Sequence, residues 1–587
     1  MEYQRALQLI FAYLDMLREE GPREWLYDEQ SRLAELSFRF KEEGNSMSYV
    51  TGLSGSMLYY APDDILRGPY VMRNYQPQMI TDALSRMVPE NALVILQEQG
   101  VETDRVSVHY QVPYSLRTVG DEELAAWRTE VDAGVLALPA ANPFIAEDTS
   151  LVKISPDNPS HPELVLEQGR QRIWFMQDET FRVPRGAMYI NFRSPLVGQS
   201  PEQAASAVLY TALLRDRVNE LTYPALLAGL QFSFYKHAQG ISMRVSGYDD
   251  KQFVLLDDLL EVIAAPGFDQ QRFENIRKDM IRSLENAVAK RPSSQVMDDL
   301  REAVLHAQWG EQVRIEALQE MTLEDLERYA QGFWASATAE ALIFGNYTAS
   351  MVQELSGRLD RVVPDSAPPE LEELRVTRLQ AGERGLYPVD VAHDDAVLAW
   401  YMQGADNTWE DRAATAMTAQ VMKSGFFQEL RTEQQLGYVV SAFSWAQMDV
   451  PGLVMLIQSP VADSAALADA MAAFLATVPD TLDEAQFQRH RQALVNDILR
   501  PDKNLSERAE FYWQSIAKKQ FEFDGRRSLA GAVEALTLEA WMDYFKRVFL
   551  QQPHSLQVAA PGRWEALPAG ALERYDSADR VKSENGY

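Results

Sequence analysis

The segment FDQQRFENIRKDM, residues 268–280, has a second copy in LDEAQFQRHRQAL, residues 482–494. Further on, MTLEDLERYAQGFW from residue 321 matches LTLEAWMDYFKRVF from residue 536 in nearly the same register. Two matching patches in one register indicate an internal duplication with a period of about 210 residues. The first pair of segments aligns an acidic residue, a phenylalanine and an arginine: Asp269 with Asp483, Phe273 with Phe487 and Arg277 with Arg491.

The order of predicted elements is the same in both copies. AMYINF at 187–192 and AVLAWY at 396–401 have the apolar, aromatic composition of strands. Each copy then continues with a long helix, a pair of strands, several helices and a last apolar strand. Strands joined as hairpins, with helices kept apart from them, are typical of the α+β class. The sequence therefore predicts tandem α+β modules, each an antiparallel sheet with helices packed on one face.

Residues 1–110 show only the last part of that order. Helical periodicity covers 3–20, continues to about Lys41 and returns at 78–87, and the apolar segment ALVILQ at 92–97 follows as a predicted strand. We therefore expect the chain to begin inside a module. Two segments rich in proline and polar turn formers, 138–163 and 364–373, predict breaks between modules.

Composition and charge exclude several classes of partner. The chain has 55 basic and 86 acidic residues, a net charge of -31, which repels phosphate backbones and anionic membranes. No apolar run approaches the roughly 20 residues that a membrane span needs. We expect neither nucleic acid nor a membrane as a partner, whereas a cationic peptide would be attracted. The composition does not name the compartment, so periplasmic and cytoplasmic locations both stay open.

The sequence predicts no metal site and no cofactor in this chain. It has no cysteine, and its seven histidines are scattered, so neither His-Glu-x-x-His nor the inverted His-x-x-Glu-His occurs. The Gly-x-Ser-x-Gly elbow, the Walker loop and the dinucleotide-binding glycine turn are absent as well. Catalysis by this chain alone therefore has no support in its sequence.

One segment carries side chains that the duplication does not explain. FFQELRTEQQLGYVV at 426–440 aligns Arg431 with Thr222 and places Tyr438 within a residue of Leu230, so the first copy makes the same helix-to-strand connection without these two side chains. Arginine offers five fixed donors and tyrosine one directed O–H, a pair suited to a peptide carbonyl or an oxyanion. The alternative is a charge at a helix end beside a half-buried strand tyrosine.

FFQELRTEQQLGYVV resembles the signature of the C-terminal half of the pitrilysin and insulin-degrading-enzyme family, the M16 zinc metallopeptidases. The resemblance extends through EGPREWLYDEQSRLAELSFRFKEE at 20–43, LTYPALLAGLQFSFY at 221–235 and VSGYDDKQ at 245–252. It implies four metallopeptidase-like modules in two halves around a peptide chamber. On this basis residues 1–137 would hold the end of the second module plus linker, 138–367 linker and the inactive third module, and 368–587 the inactive fourth.

The resemblance also implies a division of labour. Zinc would be held by an N-terminal catalytic half, in the same polypeptide or a separate chain, and this chain would form one wall of the chamber. Arg431 and Tyr438 match positions that contact the carbonyl of a peptide substrate, and Phe427 matches an apolar substrate-pocket residue, although a core phenylalanine is an equal alternative for it. The competing hypothesis is a stand-alone peptide-binding or scaffolding pseudo-peptidase without proteolysis.

Overall fold

The computed structural model describes residues 3–129, 136–371 and 373–587. Residues 1–2 and 130–135 within the first predicted domain, and residue 372 within the second predicted break, therefore lie outside the described residues. The chain divides into two compact units. Unit 1 comprises Met1–Ile145 with Pro224–Gly229, and unit 2 comprises Ala146–Tyr223 with Leu230–Tyr587.

Unit 1 is mainly helical. Its elements are α1 (Tyr3–Glu20), α2 (Glu24–Arg39), α3 (Ser46–Ser56), α4 (Pro77–Arg86), β1 (Arg105–Val106), β2 (Pro113–Tyr114) and α5 (Asp121–Trp127). The first, second and fourth of these helices confirm the predicted helices at 3–20, up to 41 and 78–87. Phe11 of α1 stacks on Trp127 of α5 with ring centroids 5.9 Å apart, and both side chains are buried.

The predicted strand at 92–97 is wrong, because the structure has no strand there. Leu93 and Ile95 are 79% and 84% exposed. A strand forms only when a neighbour receives its backbone hydrogen bonds. Among the described residues of unit 1 the only paired strands are β1 and β2, which pair with each other. The apolar composition of ALVILQ is strand-like, but in this unit it has no sheet to join.

Unit 2 contains two six-stranded sheets. The first has the strand order β3-β4-β8-β5-β7-β6 and the second β11-β12-β10-β13-β9-β14. The strands of the first sheet are β3 (Glu163–Gln168), β4 (Gln171–Gln177), β5 (Arg185–Arg193), β6 (Gln231–His237), β7 (Gly240–Tyr248) and β8 (Thr338–Gly345). Those of the second are β9 (Arg384–Pro388), β10 (Ala396–Gln403), β11 (Val439–Ser444), β12 (Gly452–Ser459), β13 (His554–Ala560) and β14 (Glu573–Arg574).

Fifteen α-helices, α6 to α20, follow one another through the two copies; all lie in unit 2 except the last part of α7, from Pro224 onward, which belongs to unit 1. Those of the first copy are α6 (Pro201–Arg217), α7 (Asn219–Leu227), α8 (Gln252–Ala264), α9 (Gln270–Glu285), α10 (Pro292–Val304), α11 (Glu311–Glu320), α12 (Leu323–Ser336) and α13 (Ser350–Leu359). Those of the second are α14 (Trp409–Phe426), α15 (Ser464–Thr477), α16 (Glu484–Ile498), α17 (Leu505–Ala517), α18 (Gly525–Ala535), α19 (Leu538–Phe545) and α20 (Ala578–Asn585). Residues 138–162 have turns and bends but neither helix nor strand, as predicted.

Aligned residues of the two copies make the same hydrogen bonds. Asp269 and Asp483 each cap the helix that follows, accepting from the backbone N–H three residues on at 2.9 and 2.7 Å. Arg277 donates to the carbonyl of Met321 at 2.9 Å, and its counterpart Arg491 donates to that of Leu536 at 3.0 Å. The aligned aspartates therefore cap equivalent helices, and the aligned arginines bind equivalent backbone carbonyls.

The α+β class is confirmed, with two particulars that differ from the prediction. The sheets are mixed rather than fully antiparallel, because β4 runs parallel to β8 and β9 runs parallel to β13 and β14. Helices also cover both faces of each sheet, since the two copies exchange a helix. Apolar side chains of α10 pack on β10, β12 and β13, and those of the equivalent α17 pack on β4, β5 and β8.

Hydrophobic periodicity could not predict this exchange, because α10 and α17 have the same amphipathic pattern whichever sheet they pack on. Buried aromatic rings make the contact of α17 extensive: Trp513 lies 5.4 Å from Tyr189, and Tyr512 lies 5.4 Å from Phe344, between ring centroids. The two six-stranded sheets and the helices between them therefore form one packed body within unit 2.

Candidate functional site

The helix α14 continues directly into a π-helical turn, Phe427–Glu433. Phe426 and Leu430 are fully buried on the inner side of this turn, and the ring of Phe426 contacts that of Phe474 at 5.3 Å between centroids. The wide turn ends with backbone bonds from Gln434 N to Glu429 O at 2.8 Å and from Leu436 N to Leu430 O at 3.0 Å. Single π-helical turns inside helices are frequent at functional sites.

Just before strand β11 the backbone of Gly437 passes very close to that of Gln458 on strand β12. Gln435 has a left-handed φ of 53°, which reverses the chain after the π turn. At Gly437 a Cβ atom would lie 2.0 Å from the carbonyl oxygen of Gln458 on the neighbouring strand β12. Glycine is therefore needed at 437 for space, and its position brings Tyr438 against β12.

Arg431 lies on the exposed side of the π turn. Its guanidinium carbon is 4.8 Å from the centroid of the Phe427 ring, a cation–π contact that restrains the side chain. Phe427 is 41% exposed, so it is not a core phenylalanine; the buried ring is that of its neighbour Phe426. Within the described residues the structure records no ion pair or hydrogen bond for the Arg431 guanidinium, so its planar donors face solvent.

Tyr438 is half exposed, at 52%, yet its hydroxyl group is fixed. The O–H donates to Asp395 Oδ2 at 2.8 Å, and the oxygen accepts a short hydrogen bond from Gln458 Nε2. Gln458 Nε2 also donates to Asp395 Oδ2 at 2.9 Å, which closes a ring of three hydrogen bonds. Partial burial, followed by the Asp395 carboxylate, raises the pKa of Tyr438.

The polar partners of Tyr438 are themselves held by buried contacts. Asp395 and Gln458 are buried, and Gln458 Oε1 accepts from the backbone N–H of Ser293 at 3.2 Å. Ser293 belongs to the first turn of α10, the exchanged helix of the first copy. The backbone N–H of Asp395 donates to His393 Nδ1 at 3.0 Å. The orientation of Tyr438 thus depends on both modules.

The structure separates the predicted site residues into two contact sets, Arg431 with Phe427 and Tyr438 with Asp395 and Gln458. Sequence reasoning did not find Asp395 or Gln458, but the duplication carries a signal for them. The strand ends match where Gln403 pairs with Gly452 and Arg193 pairs with Gly240, and this register aligns Asp395 with Arg185 and Gln458 with Ser246. The first copy therefore lacks the carboxylate and the amide as well as the tyrosine. The substrate contacts of Arg431, Tyr438 and Phe427 stay predictions.

A metal site and a membrane span are two further features that the described part of the chain could contain. No group of three or more His, Cys, Asp or Glu side chains there is arranged to hold a metal ion. No single described helix has the length and apolar composition of a membrane span. One helix pair bent by 106°, Ser464–Thr481 with Glu484–Ile498, meets that criterion together.

Two family models match the chain: residues 38–317 match the middle or third domain of peptidase M16, and residues 417–513 match the C-terminal lobe domain 4 of the PQQ synthase PqqF-like proteins. Insulin-degrading enzyme of Homo sapiens is 29% identical over 568 residues, which cover 94% of this chain and 55% of that protein. The A-factor-processing enzyme of Saccharomyces cerevisiae is 26% identical over 561 residues, with 94% and 54% covered. The chain spans about half the length of these curated relatives.

Solved structures share the fold. The crystal structure of pitrilysin superposes with a TM-score of 0.81 at 20% identity and covers 99% of this chain, which in turn covers 63% of pitrilysin. A peptidase M16 inactive domain from Pseudomonas fluorescens gives a TM-score of 0.53 at 14% identity, over 71% of this chain and all of that one. These two structures show the shared fold, and the matched family models together with the insulin-degrading enzymes show that the chain is a member of the insulinase-like M16 peptidase family.

Proposed function

We propose that this chain is the non-catalytic, substrate-contacting part of an M16-type zinc metalloendopeptidase. In this proposal it forms one wall of a peptide chamber, and Arg431 and Tyr438 bind the peptide. The observation that carries the proposal is the pair of exposed, restrained donors at 431 and 438, which the otherwise equivalent third module lacks. Zinc is assigned to a partner half, because the sequence contains neither His-Glu-x-x-His nor the inverted His-x-x-Glu-His.

The chemistry of the two side chains suits a peptide carbonyl. The Arg431 guanidinium is permanently charged and presents planar donors, and Phe427 holds it without neutralising it. The phenol of Tyr438 supplies a single directed donor on a fixed ring. Donors placed where negative charge develops on a carbonyl oxygen lower the barrier to peptide hydrolysis. Neither side chain can activate water, so the attacking hydroxide has to come from the zinc-bearing half.

Unit 1 supports the need for a partner. Segment 92–97 follows helices in the same order as the last strands of the two complete modules, β8 and β13, which lie inside their sheets and are buried. In unit 1 the corresponding side chains Leu93 and Ile95 are instead open to solvent. We propose that the remaining strands of this module, carried by the zinc-bearing half, cover them. An exposed apolar patch of this kind marks an interaction surface.

A reconstitution experiment tests the proposal. The purified chain is assayed on a fluorogenic unstructured peptide, alone and together with a zinc-bearing M16 half, supplied from the in-frame upstream sequence or as a separate chain. We expect no chelator-sensitive cleavage by the chain alone and clear cleavage by the reconstituted pair. A matched control is the chain with Leu93→Asp and Ile95→Asp, which should fail to assemble because both changes place charge in the proposed interface.

Two outcomes contradict the proposal. Zinc-dependent turnover by the chain alone, surviving repurification, means that its scattered histidines assemble a metal site. Tight peptide binding without any cleavage in the presence of the zinc-bearing half favours the stand-alone peptide-binding protein instead.

A further inference from the structure

We infer that Asp395 and Gln458 are positioning residues for Tyr438, so that the fourth module presents its phenol to a peptide in one fixed orientation. The inference rests on the proposed function for the role of Tyr438, and on the hydrogen bonds for the rest. Tyr438 is half exposed, and a side chain so exposed ordinarily samples several rotamers. Two buried polar groups remove that freedom here.

The hydrogen-bond directions around Tyr438 are all determined. The Ser293 N–H donates to Gln458 Oε1, so the other end of this amide, with its two N–H groups, faces Asp395 and Tyr438. Asp395 is an acceptor only, so the hydroxyl hydrogen of Tyr438 must point to it. Every donor in the ring has an acceptor, and the phenol oxygen is held from two sides.

Asp395 and Gln458 therefore have different roles. The O–H of Tyr438 is engaged with Asp395, so donation to a substrate carbonyl requires the hydrogen to change partner. During that change Gln458 still donates to the phenol oxygen and keeps it in place. A charged acceptor such as Asp395 binds the hydrogen more strongly than a neutral one. Asp395 thus stabilises the resting position, and Gln458 stabilises both positions.

The hydrogen bond that holds Gln458 comes from α10, which belongs to the first copy. Ser293 lies at the second position of α10, whose remaining length packs on β10, β12 and β13. The N–H groups of a first helical turn have no partner inside the helix, so they are available to an outside acceptor. The third module thus contributes to the site without presenting a side chain to it.

A titration of the phenol tests the inference without any activity measurement. A 3-fluorotyrosine is placed at position 438 of the full chain, and its pKa is followed by ¹⁹F NMR. Asp395 raises this pKa and the hydrogen bond from Gln458 lowers it, while the charge of Arg291 and the nearby His393 are common to all variants. We expect Asp395→Asn to lower the pKa and Gln458→Met to raise it. If Asp395 and Gln458 only stabilise the fold, the two variants have no reason to shift the phenol pKa in opposite directions. An unchanged phenol pKa in both variants overturns the inference.

A double-mutant cycle in the reconstituted enzyme adds a kinetic readout. Gln458→Met should lower kcat/KM about tenfold, the scale for loss of a supporting hydrogen-bond partner, and should cost nothing further in the Tyr438→Phe background. The control is Gln403→Met: Gln403 is also buried and bonded, to Thr377 O and Leu379 N, at the opposite end of β10. Equal losses in both backgrounds overturn the inference.

The two tests separate the inference from the proposed function. If Tyr438→Phe leaves turnover unchanged, the proposed role of Tyr438 is wrong, whereas the opposite pKa shifts still establish positioning. If Tyr438→Phe lowers turnover and the pKa values do not move, the proposed function stands and the positioning inference is wrong.

Discussion

The two helix-to-strand connections of the duplication differ in chemistry more than in backbone. In the third module α7 ends at Leu227 and β6 begins at Gln231; in the fourth the π turn ends at Glu433 and β11 begins at Val439. The side chain aligned with Arg431 is Thr222, which donates to the carbonyl of Val218, the residue just before its helix, at 2.9 Å. The Arg431 side chain instead packs its guanidinium on the ring of Phe427 and is exposed to solvent.

The difference shows which features the fold requires. Both connections keep a glycine before the strand, but for different reasons. Gly229 has a φ of 82°, which a residue with a Cβ adopts only at a cost, whereas Gly437 has to make room for the Gln458 carbonyl. Neither connection requires an arginine or a tyrosine, so in the fourth module these two side chains are free to serve binding.

The largest predicted effect is on stability and compares two adjacent phenylalanines. Phe426→Ala should lower the free energy of unfolding by about 3–5 kcal/mol, because it opens a cavity beside Phe474. Phe427→Ala should cost less than about 1 kcal/mol, since it removes an exposed ring and one cation–π contact. Urea unfolding of the two variants and the parent measures the difference. Similar losses in both variants would contradict the assignment of one ring to the core and the other to the surface.

The next effect is kinetic and compares the two modules. In the reconstituted enzyme Tyr438→Phe or Arg431→Ala should lower turnover by roughly 10²-fold, by analogy with the loss of one oxyanion donor. The controls are Tyr235→Phe on β6, the strand equivalent to β11, and Arg217→Ala at the exposed end of α6. Both controls should retain full turnover. Normal turnover in both fourth-module variants removes the proposed role of the pair.

Much of the fold could be predicted from residues that act locally. The aligned residues Asp269 and Asp483 both cap helices, and the aligned Phe273 and Phe487 are both buried, so the duplication seen in the sequence is matched by equivalent local structure. Helix α1 has the predicted bounds as well. These features depend on neighbours close along the chain, so one sequence is sufficient to place them.

Features that depend on distant partners could not be predicted. The exchange of α10 and α17 pairs residues about 100 to 300 positions apart, and amphipathic periodicity does not say which sheet a helix covers. The segment 92–97 has the composition of β8 but no sheet around it. At the site, Arg431 and Tyr438 stand out as differences between copies. Asp395 and Gln458 emerge only when strand registers show that they meet.

The smallest predicted effect compares the two aligned glycines and separates stability from function. Gly229→Ala and Gly437→Ala should each lower the free energy of unfolding by about 1–3 kcal/mol, the first through a left-handed φ and the second through overpacking. Only Gly437→Ala should also reduce turnover of the reconstituted enzyme. Its new Cβ pushes against the Gln458 carbonyl oxygen and backbone, so the strand that holds the partner of Tyr438 has to shift. The two variants are assayed at a temperature where both remain folded by circular dichroism. Equal turnover under that condition would mean that the register between β11 and β12 does not set the position of Tyr438, and the contrast between the two connections would then be one of backbone alone.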